Sequence, residues 1–270
     1  MTVGENNKYW ALILGASSGF GGATAIRLAK DGYNIFGVHL DRAATMPQVE
    51  ETVAQIKATG SEAIYFNINA ADEIKRKEVI QSIIKRLNRK QLIKVVMHSL
   101  AFGALRPFIS STKELMTKVQ MEMTLDVMAH SLVYWVQEVF SNNLLTNRCR
   151  VFAMTSSGAH TTIPFYGAIS AAKAALESHV RQLAVELGDI NAGVNAIMAG
   201  VTDTPALRKI PANKGMKQIA LSKNPRKRLT TPEDVAKVIS VLCRDGGEWI
   251  SGGIINADGG EDIASYIGEN

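Results

Sequence analysis

The sequence predicts a single α/β domain built on a doubly wound parallel sheet of about seven strands, with helices on both faces. Two observations carry this prediction. Apolar runs of strand length alternate with longer amphipathic stretches from one end to the other, the pattern of βαβ units with parallel strands. Strands such as Lys94-Val95-Val96-Met97 and Asn195-Ala196-Ile197-Met198 also read as near-continuous rather than alternating apolar runs, which is the pattern of strands covered on both faces.

Taken in order, strand 9–15 ends in a glycine-rich turn that opens helix 20–31. Strand 34–40 is closed by Asp41 and followed by helix 48–59; strand 62–67 leads into helix 73–87. Strand 92–98 precedes one long helical pattern, 115–145. Strand 150–156 is followed by helix 166–187, and strand 193–198 by an irregular segment, 202–230. That segment carries Pro205, Pro211 and Pro225 among many basic residues, at the sheet edge where open α/β folds bind ligands. It is expected to be a lid over substrate, or else a variable surface loop. Helix 232–243 has the clearest start: Thr231 as cap, Pro232 at the first position, and Glu233 and Asp234 in the first turn. Strand 253–257 ends the sheet. No repeat, low-complexity tract or linker divides residues 1–270, so one domain is expected.

Composition excludes several classes of protein. The apolar share of 46% allows a substantial core, and no apolar run approaches the ~20 residues needed to span a bilayer. The N-terminal stretch MTVGENNK is polar and lacks the apolar segment of a signal peptide, so a cytoplasmic location is expected. Cys149 and Cys243 form neither a metal motif nor a disulfide framework, and no metal is expected. The net charge of +5 is mild. Its densest basic cluster, Lys223 with Arg226-Lys227-Arg228, reads as a solvated loop or as a docking point for an acidic partner. Basic residues do not interleave with aromatics, so nucleic acid is not an expected partner.

The turn after the first strand, Gly15-Ala16-Ser17-Ser18-Gly19-Phe20-Gly21-Gly22, suits a dinucleotide. Glycines let the backbone turn sharply and approach a pyrophosphate, and the helix N-terminus offers unpaired N–H groups to it. The spacing is G-x-x-x-G-x-G, a moderate signal strengthened by its place between a strand and a helix. Asp41 can accept hydrogen bonds from adenosine ribose hydroxyls and repel a 2′-phosphate, which favours NADH over NADPH. Neighbouring Arg42 could instead pair with that phosphate, so both cofactors stay open.

Tyr166 and Lys173 are the second candidate constellation. Seven residues make nearly two helical turns, so both side chains face one way, about 10 Å apart along the axis. A lysine that distant is not in contact with the phenol; it suits holding an extended group such as a ribose while the tyrosine hydrogen-bonds the reacting end. Tyr166 as a helix-start aromatic and Lys173 as a surface charge is the alternative.

Together these residues resemble the short-chain dehydrogenase/reductase family, over nearly the whole chain through the terminal Asn256-Ala257-Asp258-Gly259-Gly260. The resemblance implies a Rossmann-like fold. Common members carry Tyr-x-x-x-Lys, but the residue four before Lys173 is Ile169. The Tyr-x6-Lys spacing resembles the divergent enoyl-acyl-carrier-protein reductase branch. So does Val96-Met97-His98-Ser99-Leu100-Ala101-Phe102, and Met128 stands where common members place a proton-relay asparagine. The stretch Gly200-Val201-Thr202-Asp203-Thr204 resembles the one whose backbone and threonine hold the nicotinamide amide and phosphates. One residue is discordant: Ser156 stands ten before Tyr166, where well-studied enoyl reductases have a second tyrosine and ordinary dehydrogenases a serine.

The resemblance implies catalytic roles for Tyr166, Lys173 and Ser156. It implies dinucleotide contacts from Gly15, Ser17, Ser18, Gly19, Phe20, Gly21, Asp41, Arg42, Asn67, Ile68, Ser99, Leu100, Ala101, Lys173, Gly200, Thr202 and Thr204. The activity it implies is reduction of the 2,3 double bond of an enoyl thioester on acyl carrier protein or coenzyme A, in fatty-acid synthesis. Tyr166 would hydrogen-bond the thioester oxygen as an enolate forms. A carbonyl, 3-ketoacyl or alcohol dehydrogenase activity is the alternative, followed by a dinucleotide-binding protein without turnover. Helices 115–145 and 166–187 resemble the family's subunit contacts, which implies a homotetramer. Among the remaining polar groups, His98 and Ser99 are expected at the cofactor edge or in packing, His160 in an incidental loop, and Ser170 in packing.

Overall fold

Strands β1 (Tyr9–Leu14), β2 (Asn34–His39), β3 (Ala63–Asn67), β4 (Leu92–His98), β5 (Leu145–Thr155), β6 (Gly193–Ala199) and β7 (Ile254–Ala257) form one sheet. All neighbours run parallel, in the order 3-2-1-4-5-6-7. This computed structural model describes residues 9–87 and 92–265. The polar N-terminal stretch and the last five residues of the expected domain lie outside them. Strand order reverses between β1 and β4, so a crevice opens at their C-terminal ends, the place where such sheets take a ligand.

Alternate residues of each strand enter two cores. Leu12, Leu14, Val96, Val151 and Ala153 pack on one side against α3 (Glu73–Leu87), α5 (Ser131–Ser141) and α6 (Gly167–Glu186). Ala11, Ile13, Val95, Met97 and Phe152 pack on the other against α1 (Gly19–Lys30), α2 (Met46–Lys57) and α9 (Pro232–Leu242). Each fully buried Leu or Ile contributes about 1.5–3 kcal/mol relative to exposure. Trp10 stacks on Phe36 at 3.9 Å between ring centroids, closing the sheet beneath α3.

The expected helix 115–145 is divided. Thr117 and Gln120 form a reciprocal capping box, so α4 spans only Lys118–Leu125. A five-residue π-helical turn, Asp126–His130, then inserts before α5. The chain leaves α5 through Asn143, whose φ of 55° is the left-handed geometry that ends helices. Leu145 therefore belongs to β5, which starts earlier than expected and bulges between Leu145 and Arg150. The segment 202–230 is also more ordered than its prolines suggested: it holds α7 (Pro205–Arg208) and α8 (Asn213–Lys223). Pro205 is a helix opener here, seated after the Thr204 cap. Among the described residues no helix is long and apolar enough to cross a membrane.

Candidate active site

The glycine turn lies at the mouth of the crevice. Gly15 has a φ of +87°, and a Cβ there would stand 2.4 Å from the Ser99 carbonyl oxygen; one on Gly21 would stand 2.1 Å from that of Gly15. Only glycine lets α1 descend this close to β1 and β4. Ser18 is extended at the N-cap and its side chain makes no capping bond, so it leaves the first N–H groups of α1 available to an anion. Gly19 and Phe20 open that helix beside Thr204 and the crevice.

At the far lip, Asn67 accepts from the Asp41 backbone N–H at 3.0 Å and donates to the Asp41 carbonyl at 2.9 Å. His39 Nδ1 lies 3.0 Å from the Asp41 carboxylate. Burial alone would raise the Asp41 pKa, but Thr45, Ser17 and His39 together hold it below the ordinary value. Ile68 donates its N–H to the His39 carbonyl at 2.8 Å, and Arg42 is exposed next to Asp41. This end can hold an adenosine; the glycine cradle and the unsatisfied helix start fit the pyrophosphate of a dinucleotide.

Beyond them the crevice widens into a cleft walled by Leu105, Ile163, Leu207, Ile210 and Met216, with Ser99, Leu100 and Ala101 on its β4 side. Gly200, Thr202 and Thr204 line it from the loop after β6. Thr202 Oγ1 donates to the Gly200 carbonyl at 2.9 Å, and Thr204 Oγ1 accepts from Leu207 N–H at 3.2 Å. Both hydroxyls thus shape this loop as well as face the cleft.

Tyr166, Lys173 and Ser156 meet in that cleft. Tyr166 immediately precedes α6, and Lys173 lies nearly two turns down it. The Lys173 ammonium is buried and donates to the Met154 carbonyl at 2.7 Å. Burial pushes its pKa down to about 8, opposed by the Glu177 carboxylate one turn further on. Glu177 is itself held by Thr155 Oγ1 at 2.7 Å. Burial raises the Tyr166 pKa and nearby Ser156 lowers it, with a net rise. Ser156 Oγ is buried and meets no hydrogen-bond partner in ordinary geometry among the described residues. Gly158 explains their proximity: a Cβ there would stand 2.6 Å from the Tyr166 ring and 3.1 Å from Ser156 Oγ.

Other polar residues settle differently. Ser170 donates to the Gly158 carbonyl and so fastens α6 to the turn carrying Ser156. His160 Nε2 lies 3.2 Å from the Asp262 carboxylate, tying that turn to the C-terminal segment. Met128, in the π-helical turn, lines the cleft with its sulfur near Gly103, as a packing group. His98 is fully buried, 2.9 Å from Ser131 Oγ. Sequence reasoning missed Glu177, Gly158 and Glu261, whose carboxylate accepts from the Val201 N–H at 3.0 Å. Glu177 was readable as a carboxylate one turn after Lys173; the other two depend on packing alone. Among the described residues no group of three or more His, Cys, Asp or Glu side chains can hold a metal ion.

Comparison with known proteins gives a consistent result. The sequence pattern of the family described as Enoyl-(Acyl carrier protein) reductase matches residues 15–261. Versicolorin reductase 1 of Aspergillus parasiticus is 24% identical over 260 residues, covering 93% of this chain and 95% of the relative. Hydroxynaphthalene reductase-like protein Arp2 of Metarhizium acridum is 29% identical over 262 residues, covering 93% of each. Among solved structures, the promiscuous reductase LugOII, described as catalysing keto-reduction at C1 during lugdunomycin biosynthesis, superposes with a TM-score of 0.79. It is 26% identical, over 95% of this chain and 98% of that one.

Proposed function

Because the chain belongs to the short-chain dehydrogenase/reductase family and is an oxidoreductase, we propose that it reduces the carbonyl group of a flat, apolar ketone at the expense of NAD(P)H. The carrying observation is that Ser156 Oγ, buried and without another partner among the described residues, stands beside the protonated Tyr166 phenol on one wall of an apolar cleft. Two hydroxyl donors at one point suit a carbonyl oxygen that gains negative charge as the reaction proceeds. The bound reduced dinucleotide supplies the hydride.

Ser156 orients the carbonyl oxygen, and Tyr166 gives it a proton once it carries charge. The raised Tyr166 pKa suits this direction, since a phenol that keeps its proton is an acid, whereas oxidation of an alcohol needs a base. Lys173 holds the nicotinamide ribose and contributes its positive field. The apolar walls and α7–α8, as a lid, exclude water, which strengthens both hydrogen bonds. Relatives named for hydroxynaphthalene, versicolorin and keto reduction support a polycyclic aromatic ketone as substrate. Asp41, firmly held at the ribose end, favours NADH.

A second reading, enoyl-thioester reduction, is favoured by the Tyr-x6-Lys spacing and by charge on the lid. Residues 202–230 carry Arg208, Lys209, Lys214, Lys217, Lys223, Arg226, Lys227 and Arg228 against one acid, Asp203, which suits a substrate borne on acyl carrier protein or coenzyme A. Assembly as a homotetramer through α5 and α6 rests on family resemblance. Steady-state rates with NADH and NADPH on a hydroxynaphthalenone and on a crotonyl thioester separate the readings. Faster turnover of the ketone, reduced by Ser156→Ala, is expected; turnover of the thioester alone would overturn ketone reduction.

A further inference from the structure

His98 is an unusual group to find where it lies. It ends β4 paired in register with Ala153 of β5, and the next β5 residue, Met154, supplies the carbonyl that anchors Lys173. His98 alternates with Val96 and pairs with Ala153, on the face of the sheet that α6 covers, and it is close enough to the Lys173 ammonium for that charge to lower its pKa. Two contacts bear on the imidazole tautomer. Ser131 Oγ lies 2.8 Å from the Val127 carbonyl and 2.9 Å from His98 Nε2; with its one proton given to Val127, it accepts from Nε2–H. His98 Nδ1 is then a bare lone pair, and it is buried without a hydrogen-bond partner among the described residues. A buried acceptor left unsatisfied costs on the order of 1–3 kcal/mol.

Lys173 has the complementary excess. Its ammonium carries three protons and gives one to Met154. Among the described residues, the charged and titratable groups around it are Glu177 one turn further along α6, Tyr166 just before that helix, and His98 from β4. β5 offers the Met154 carbonyl and Thr155, whose hydroxyl is committed to Glu177.

We propose that His98 is a positioning residue for Lys173, its Nδ1 lone pair accepting from one buried water that in turn accepts from the ammonium. This rests on the reading of Lys173 as part of the reaction. A single water with polar partners on both sides is the ordinary solution for a buried gap of this kind. Burial and the nearby ammonium push the His98 pKa down to about 3, so the ring stays neutral and is not a proton source. The chain from Nε2 also ends at a backbone carbonyl, which offers no onward route for a proton. The function of His98 is therefore to stabilise the charged form of Lys173 and set where its charge sits. The π-helical turn serves this purpose by bringing Val127 and Ser131 against the imidazole.

The test follows the Lys173 Cε carbon by NMR across pH in the wild-type protein, His98→Leu, His98→Asn and Ser131→Ala. Loss of the acceptor in His98→Leu should lower the Lys173 pKa by about 1 unit and move the alkaline limb of kcat with it. His98→Asn, whose Oδ1 takes the place of Nδ1, should restore both. Ser131→Ala, which leaves the ring in place but frees its tautomer, should shift Lys173 in the same direction by less; it decides the matter if His98→Leu fails to fold. A Lys173 titration unchanged in Ser131→Ala and in a folded His98→Leu would overturn the proposal. A wild-type protein inactive on every carbonyl would instead sink the reading of the reaction, while leaving the lysine titration to be judged by itself.

Discussion

Tyr166 owes its proposed role to two opposing influences on one hydroxyl. Burial holds its proton, and the neighbouring Ser156 hydroxyl moderates that hold. Removing only the acid should therefore be costly for turnover: Tyr166→Phe is expected to lower kcat by about 10²–10⁴-fold. Dinucleotide affinity, measured by fluorescence titration, should stay nearly unchanged. Gly158 tests the geometry from the opposite side. Gly158→Ala puts a methyl 2.6 Å from the Tyr166 ring and 3.1 Å from Ser156 Oγ. Overpacking of this kind costs about 1–3 kcal/mol, and here it parts the two hydroxyls. A steep fall in kcat with intact circular dichroism is expected; normal turnover would show that the pair need not converge.

Helix ends decide much of the intermediate structure. At α9, Thr231 accepts from Asp234 N–H at 3.2 Å, and Asp234 accepts from Thr231 N–H at 3.0 Å. The Arg228 guanidinium, first among several influences, holds the Asp234 carboxyl well below its usual range. Thr231→Ala should lower stability by about 1 kcal/mol, read as a reduced urea midpoint at unchanged slope. This helix start was plain in the residues, because cap, proline and acids act within one turn. The division of 115–145 was less plain. Its capping box was present as Thr117 and Gln120, but strong apolar periodicity continued through it. The π-helical turn had no glycine or proline to mark it; contacts with α6 and His98 favour that geometry, and those contacts are distant in sequence.

Protons held in the two cores link the fold as a whole to pH. Burial pushes the Cys149 thiol up to about 11 and the Cys243 thiol up to about 12, from an ordinary 9.0. Burial likewise raises Tyr33 and Tyr65 above their usual range. A raised folded pKa contributes stability that is complete below the unfolded pKa and lost as pH rises through the folded one. The urea midpoint should accordingly fall from about pH 9 upward, and Cys149→Ala with Cys243→Ala should make that fall shallower. An equally steep fall in the double variant would remove the thiols as its cause.

The order of strands and helices, the glycine turn and the helix that carries Tyr166 and Lys173 were all determined by local pattern: continuous apolar runs, a seven-residue spacing, caps one turn long. Such signals act between near neighbours, so a linear text contains them. The partnerless serine beside the phenol, the buried imidazole under the ammonium and the carboxylate of Glu261 on the β6 loop were decided only by tertiary structure. Those contacts join residues from different strands and helices, and their energies depend on burial and distance, which come into being only when the sheet is assembled.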